Sequence, residues 1–343
     1  MPQAPEKRRL FSLPAPSRLV LILTRRCNLG CGYCYNGEAD ESLMSRETLE
    51  RAFALLAEGE GPFGVQLTGG EPLLVPELVE RACALFKKAG EKRPGALSLQ
   101  TNLTLLNEDW LDLFRKYRVD LGVSLDGPPE INERQRGKSR ELFRSLELLR
   151  QSAFPFSATA VVTRENCAHL GALVLFLGGF KEARGLGLDL LVKKGRRGLS
   201  PPRAPALNEA AGKIRESLAL VNRFRFRPFR LRELEMLRKA EKGGGGSFCG
   251  ACRGTTLAVT PEGELYPCAQ AAGEEEFSLG GLERPRAPRK SPGAYELSTA
   301  KCLLCPLHGR CPGECPTRLR FNRGEEDLVC SLYRGLSSLP LDL

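Results

Sequence analysis

Long apolar runs are missing from this chain. No stretch of its 343 residues approaches the ~20 apolar residues needed to span a bilayer. The opening Met1-Pro-Gln-Ala-Pro-Glu-Lys-Arg-Arg9 is polar and carries no secretory signal. Neither a membrane-spanning helix nor secretion is expected, and a cytoplasmic location is. Nucleotide-binding signatures are missing as well. No Gly-x-Gly-x-x-Gly follows an expected strand, and Arg136-Gly-Lys-Ser139 ends like a phosphate loop but has Asn132 where the first glycine should stand. Histidine is scarce, with only His169 and His308. Acids are in the minority: 41 Asp and Glu against 51 Lys and Arg give a formal charge of +10. Basic runs such as Lys193-Lys-Gly-Arg-Arg197 could meet an acidic peptide or a nucleic acid. Charges of both signs are spread along the chain, so an Arg-rich solvated surface is the expectation and no nucleic-acid partner is expected. The alternation of Arg223–Arg230 with Phe224, Phe226 and Phe229 reads as a half-buried strand at least as well as a stacking platform for bases.

Cysteine is abundant. Thirteen cysteines in a large chain without a signal peptide, clustered at short spacing, point to metal in a reducing compartment rather than to disulfides. Three of them form Cys27-Asn-Leu-Gly-Cys31-Gly-Tyr-Cys34, just after the apolar run Leu19-Val-Leu-Ile-Leu23. Three thiolates hold three corners of a cubic iron–sulfur cluster and leave one iron open to bind and reduce a small molecule. Structural zinc wants four ligands, and no fourth Cys or His lies nearby.

Cys-x3-Cys-x2-Cys with Tyr33 before the third cysteine resembles the signature of the radical S-adenosylmethionine (radical SAM) enzymes. Thr68-Gly-Gly-Glu-Pro72, Gln100-Thr-Asn102 and Ser124-Leu-Asp-Gly-Pro128 follow in order, each at an expected strand end and each similar to that family's pattern. The resemblance implies that Cys27, Cys31 and Cys34 hold a 4Fe–4S cluster that cleaves SAM. It also implies that Gly69 and Gly70 let the backbone approach the ligand and that Glu71 accepts a hydrogen bond from the methionine ammonium. Ser124 and Asn102 are expected at the carboxylate and ribose end, Arg136 against the carboxylate, and Tyr33 near the adenine.

The length allows about two domains of roughly 100–200 residues. Short apolar strands are expected at 19–24, 64–68, 97–101, 121–125, 157–163 and 188–192, alternating with amphipathic helices such as 45–57, 76–89 and 107–117. Asn107 is an N-cap candidate with Glu108 and Asp109 in the first turn. Regular alternation implies a parallel sheet with right-handed crossovers. Six units match the partial (β/α)6 barrel of the resembled family, with ligands at the C-terminal ends of the strands. Helices are expected at 208–220 and 231–242, and Gly243-Gly-Gly-Gly-Ser247 reads as a flexible linker. The expected division is an N-terminal extension at 1–17, the barrel with its connecting helices at 18–242, a Cys-rich unit at 243–335, and a tail at 336–343.

Eight cysteines crowd into residues 249–330: Cys249-x2-Cys252, Cys268 ending Gly263-x4-Cys, Cys302-x2-Cys305-x5-Cys311-x3-Cys315, and Cys330. A small loop-rich unit needs such a staple. Two zinc ribbons would also use Cys-x2-Cys pairs. The arrangement resembles the SPASM extension of radical SAM enzymes that modify peptides and proteins, which implies two auxiliary 4Fe–4S clusters. By that resemblance Cys249, Cys252, Cys268 and Cys315 hold the near cluster, and Cys302, Cys305, Cys311 and Cys330 the far one. Cys83 and Cys167 are expected to be buried packing residues.

A radical SAM/SPASM maturase acting on a ribosomally made peptide or a protein is therefore expected, forming a thioether or carbon–carbon crosslink or a related oxidation. It would use SAM, three 4Fe–4S clusters and reduced flavodoxin or ferredoxin, with a separate peptide-recognition partner presenting the substrate. Anaerobic sulfatase maturation is the near alternative. The resembled sulfatase maturases carry Asp directly after the cysteine ending Gly-x4-Cys, where this chain has Ala269. No other acid is nominated as base by the sequence. A non-catalytic iron–sulfur electron-transfer or zinc-binding protein is the alternative of another class.

Overall fold

The computed structural model describes residues 15–56, 59–244, 248–286, 300–325 and 327–337. Residues 1–14 of the expected extension, 245–247 of the expected linker and the tail beyond 337 lie outside them. The six expected strands form β1 (Arg18–Ile22), β2 (Phe63–Thr68), β3 (Gly95–Thr101), β4 (Asp120–Ser124), β5 (Phe156–Val162) and β6 (Ala183–Leu190). Between them run α1 (Arg46–Ala54), α2 (Pro76–Gly90), α3 (Glu108–Tyr117), α4 (Pro129–Arg136), α5 (Ser139–Gln151) and α6 (Leu170–Gly178). All adjacent pairs among these six strands are parallel. Asn107 caps α3 by accepting from the Trp110 amide, and Ser45 caps α1 in the same way from Thr48.

The strands alternate apolar and small polar residues. Along β2, Val65 and Leu67 are buried under the helices, while Gly64, Gln66 and Thr68 line an inner cavity of about 1000 Å³. Gln100, Ser124 and Thr159 continue that polar inner wall on β3, β4 and β5. Because side chains alternate faces along a strand, one apolar period serves the helix layer and leaves the inside open. Cys83 and Cys167 are buried in the outer layer.

Three further strands enlarge the sheet, whose order is β7-β6-β5-β4-β3-β2-β1-β8-β9. After α7 (Ala204–Arg223) comes β7 (Arg230–Leu231), then α8 (Arg232–Lys239), and later β8 (Thr256–Val259) and β9 (Leu265–Tyr266). Strand β8 comes from the Cys-rich part of the chain, yet pairs in parallel with β1, Arg18 against Thr256 through Leu21 against Val259. The remaining helices are α9 (Ala300–Leu303), α10 (Pro316–Phe321) and α11 (Asp327–Ser337). Helix α11 returns to pack on α7, where a side chain at Gly335 would come within 2.6 Å of the Ala211 methyl.

The Phe-Arg alternation before β7 does not form the expected long strand. Phe226 is fully exposed and Phe229 is buried. Arg225 instead turns back, and its guanidinium donates to the carbonyls of Gly178, Phe180, Lys181 and Ala183 around the end of α6. Capping those carbonyls outweighs strand pairing at the sheet edge. No helix among the described residues is long and apolar enough to cross a membrane.

Candidate active site

The first three cysteines lie on the loop that leaves β1 at the C-terminal end of the sheet, and all three line the inner cavity. Backbone hydrogen bonds strap this loop from several sides. The amides of Gly70 and Glu71 donate to the carbonyls of Thr24 and Arg26, each at 2.8 Å. A Cβ on Gly69 or Gly70 would fall inside van der Waals distance of those same carbonyls. The two glycines therefore allow the β2 loop to approach the cysteine loop, which differs from the expected close approach to a ligand, although both also line the cavity. From the other side the amides of Arg196 and Gly198 donate to the carbonyls of Cys34 and Gly32 at 2.9 Å. Gly195, at φ +70°, permits that contact, since a side chain there would strike the Cys34 carbonyl. The basic run is thus a strap, and its Lys193, Lys194 and Arg196 pair with Glu325, Glu274 and Glu38.

Glu71 does not face the cavity as expected. It is fully buried, and its carboxyl accepts from the amides of Leu73 (2.9 Å) and Asn102 (2.7 Å) and from the Thr101 hydroxyl (2.7 Å). Burial pushes it up to about 7 despite these donors. These three bonds hold the β2 loop against the end of β3. Asn102 does line the cavity. Its amide donates to Asn28 Oδ1 at 2.9 Å, its oxygen accepts from the Thr104 hydroxyl, and Asn28 in turn donates to Thr104. Asn28 was not singled out by the sequence, although its place inside the cysteine motif was in view. Ser124 faces the cavity and accepts from Gln100 at 2.9 Å.

Tyr33, Arg136 and Cys31 meet around Asp126, a fully buried acid that sequence reasoning passed over within Ser124-Leu-Asp-Gly-Pro128. Arg136 Nε donates to Asp126 Oδ2 at 2.9 Å, the Tyr33 hydroxyl donates to the same oxygen, and the Val161 amide donates to Oδ1 at 2.9 Å. The Arg136 guanidinium carbon stands 5.4 Å from the Tyr33 ring centroid, and Nη1 lies 4.0 Å from Cys31 Sγ. Burial works against the Arg136 charge, but Asp126 outweighs it and the guanidinium stays protonated. Burial also pushes up the Cys31 thiol, opposed by Arg136, and raises Cys27 to about 11. Metal coordination must displace such protons, and it does so readily for thiols.

The eight later cysteines fall into two neighbourhoods. Cys249 Sγ and Cys252 Sγ are 3.7 Å apart, and Cys252 feels Cys315 as well as Cys249. Burial raises the Cys268 thiol, with Cys249 adding; it raises Cys315 to about 12, with Arg318 opposing and Cys268 adding. In the second neighbourhood burial raises Cys311, with Cys305 and Cys302 adding, and takes Cys330 to about 11, with Cys311 and Cys302 adding. The structure thus brings Cys315 across to Cys249, Cys252 and Cys268, and leaves Cys330 with Cys302, Cys305 and Cys311.

Cys249, Cys268 and Cys315 line the same cavity as Cys27, Cys31 and Cys34. Ala269 lines it too, so that wall carries no carboxyl there. The acid that does line it is Asp189, at the end of β6, which sequence reasoning also missed. Its carboxylate accepts from Arg232 at 2.7 Å. Burial opposes its charge, and Arg232 with Arg318 outweighs burial to hold it below the usual carboxylate range. Arg232 reaches it across Gly187, where a side chain would meet the guanidinium at 2.9 Å.

Comparison with known proteins places these features. The sequence profile of the radical SAM superfamily matches residues 21–177. The serine-type anaerobic sulfatase-maturating enzyme of Klebsiella aerogenes is 27% identical over 353 residues, covering 91% of this chain and 82% of that one. Among solved structures, native anSMEcpe with bound AdoMet and Kp18Cys peptide superposes with a TM-score of 0.77 at 23% identity, covering 93% of this chain and 95% of that one. Streptococcus suis SuiB bound to precursor peptide SuiA superposes at 0.66 with 17% identity, covering 91% and 74%. At these identities the two superpositions speak for the fold.

Proposed function

The chain is a radical SAM enzyme related to the anaerobic sulfatase-maturating enzymes, and from that premise we propose that it oxidises a side chain or α-carbon of a peptide or protein. The observation that carries this reading is the single cavity of about 1000 Å³ that both cysteine groups face. The enzyme uses SAM and a 4Fe–4S cluster; together they supply, by one-electron cleavage of SAM, a 5′-deoxyadenosyl radical that abstracts an unactivated hydrogen. In this reading Cys27, Cys31 and Cys34 hold that cluster. Ser124, Asn102 and the outward edge of Arg136 face the polar ends of SAM, and Tyr33 flanks it. The cysteine loop, strapped from β2 and from the loop after β6, keeps these groups in register and excludes water.

On the opposite wall, Cys249, Cys252, Cys268 and Cys315 would hold a near auxiliary 4Fe–4S cluster, with Arg318 balancing its charge. Cys302, Cys305, Cys311 and Cys330 would hold a second cluster behind it. A substrate between the two walls would give up a hydrogen atom on one side and an electron on the other and release a proton to solvent, a two-electron oxidation with loss of two hydrogens. Residues 18–242 then form the radical-generating unit and 243–335 the electron-accepting one. Reduced flavodoxin or ferredoxin is the proposed donor, and a separate protein presents the peptide. Relatives named for binding peptides support the substrate class. Likeness to sulfatase maturases favours formylglycine formation as the second reading, and Ala269 in the cavity wall counts against it.

Anaerobic co-expression with the short peptide encoded nearest the gene tests the proposal, with the triple Cys27/Cys31/Cys34→Ala variant as control. The expected result is triad-dependent loss of hydrogens in pairs, with a stretch resistant to fragmentation. An aldehyde on a Cys- or Ser-type sulfatase peptide would establish the second reading. SAM cleavage with neither peptide altered would overturn both.

A further inference from the structure

Asp126 is held through its main chain as well as its carboxylate. Besides its carboxylate partners, its amide donates to Asn132 Oδ1 at 3.2 Å and its carbonyl accepts from Asn166 Nδ2 at 2.9 Å. Five hydrogen bonds therefore fix one fully buried acid. A buried carboxylate is costly unless paired, and the pairing here also sets a direction. Because the guanidinium is planar and Nε is tied to Asp126 at 2.9 Å, Nη1 is turned to Cys31 Sγ at 4.0 Å. Helix α4, which carries Arg136, is itself joined to the cysteine loop, since Gly32 N donates to the Gln135 carbonyl at 3.2 Å.

We propose that Arg136 raises the reduction potential of the SAM-site cluster by presenting its Nη1 donor to Cys31 Sγ, and that Asp126 is the positioning residue that aims it. The added electron increases negative charge on the cluster sulfurs, so a cationic donor beside one of them stabilises the reduced form more than the oxidised one. Hydrogen bonds to the sulfurs and local charge are among the factors that set such potentials, and a buried, weakly screened site strengthens both. The net charge of the Arg136–Asp126 pair is zero, so the effect comes from orientation: the cation is on the sulfur side and the anion behind it.

This inference rests on the assignment of Cys31 to the first cluster, and the test separates the two. The reconstituted full-length enzyme is titrated by EPR without SAM; the signal of the first cluster is identified in the wild-type enzyme as the one that changes when SAM is then added, and is followed in the variants by its g-values. Arg136→Gln leaves the acid unpaired and is at risk of misfolding, so the decisive variant is Arg136→Met/Asp126→Asn, which removes equal and opposite charges at similar volume. The expected result is a midpoint shifted to more negative potential in that variant, with partial recovery in Arg136→Lys. An unchanged midpoint at wild-type iron content would overturn the inference. Persistence of the SAM-responsive signal in Cys31→Ala would overturn the assignment beneath it.

Discussion

The two walls of the cavity are built from different materials. The barrel wall rests on a continuous apolar layer, and its cysteine loop is tied down by backbone hydrogen bonds from β2 and from the loop after β6. The opposite wall has little regular structure. Among the described residues 300–325, the buried apolar side chains are Leu307 and Pro316; the other buried residues there are Glu314, Thr317, Arg318 and Asn322. Leu303 and Leu304, between two cysteines of the far group, are largely exposed. The first wall is held by packing and hydrogen bonds that exist without metal; in the second, Ala258, Tyr266 and Phe277 pack with Val20 of the barrel, whereas residues 300–325 bury little apolar surface of their own. The second wall is docked onto the barrel through β8 on β1 and α11 on α7.

The largest effect that would test this contrast is loss of the triad. Cys31→Ala is expected to abolish reductive SAM cleavage while hydrogen-exchange protection of β1 through β6 stays at the wild-type level. Collapse of that protection would show that the barrel wall also depends on its metal. Removal of iron by a chelator should act in the opposite sense, since structural metal sites contribute folding energy outright. Residues 300–325 are expected to become readily cleaved by protease, with β1 through β9 still protected; joint unfolding of both regions would break the comparison.

A smaller effect is expected at the docking contact. Gly335→Leu overfills the α7–α11 crossing and should cost about 1–3 kcal/mol, read as a lower denaturation midpoint together with reduced iron content. Unaltered iron would mean that the cysteine groups assemble without α11 seated. The last prediction concerns the barrel wall alone. Burial raises Glu71 from 4.5 to about 7, so its contribution to stability is full below pH 4.5 and is lost as pH rises through 7. Glu71→Gln should flatten that decline in the apoprotein, an effect of about 3 kcal/mol. An identical pH profile in the variant would show that another group governs it.

Legibility in the sequence follows the same divide. The six strands and the helices between them were readable because period-2 and period-3.6 patterns are local. The strand ends holding Cys27, Gly69, Asn102 and Ser124 were readable for the same reason, and all four residues line the cavity. Glu71 and the glycine pair were placed correctly in the chain, but the partners they meet in the structure come from other loops and no local pattern announces them. The Phe-Arg stretch had the period of a strand, yet Arg225 found four carbonyls that no local pattern announces.

By itself the sequence determined the alternating α/β architecture, the order of the site segments along it, and the thiol chemistry, because each depends on residue type and short spacing. Only the tertiary structure decided that β8 joins the barrel sheet, that Cys315 crosses to Cys268, that Asp126 aims Arg136, and that Asp189 enters the cavity in the absence of an acid at 269. These contacts join segments far apart in the chain. Their energies depend on burial and on the direction of approach, neither of which a spacing along the sequence encodes.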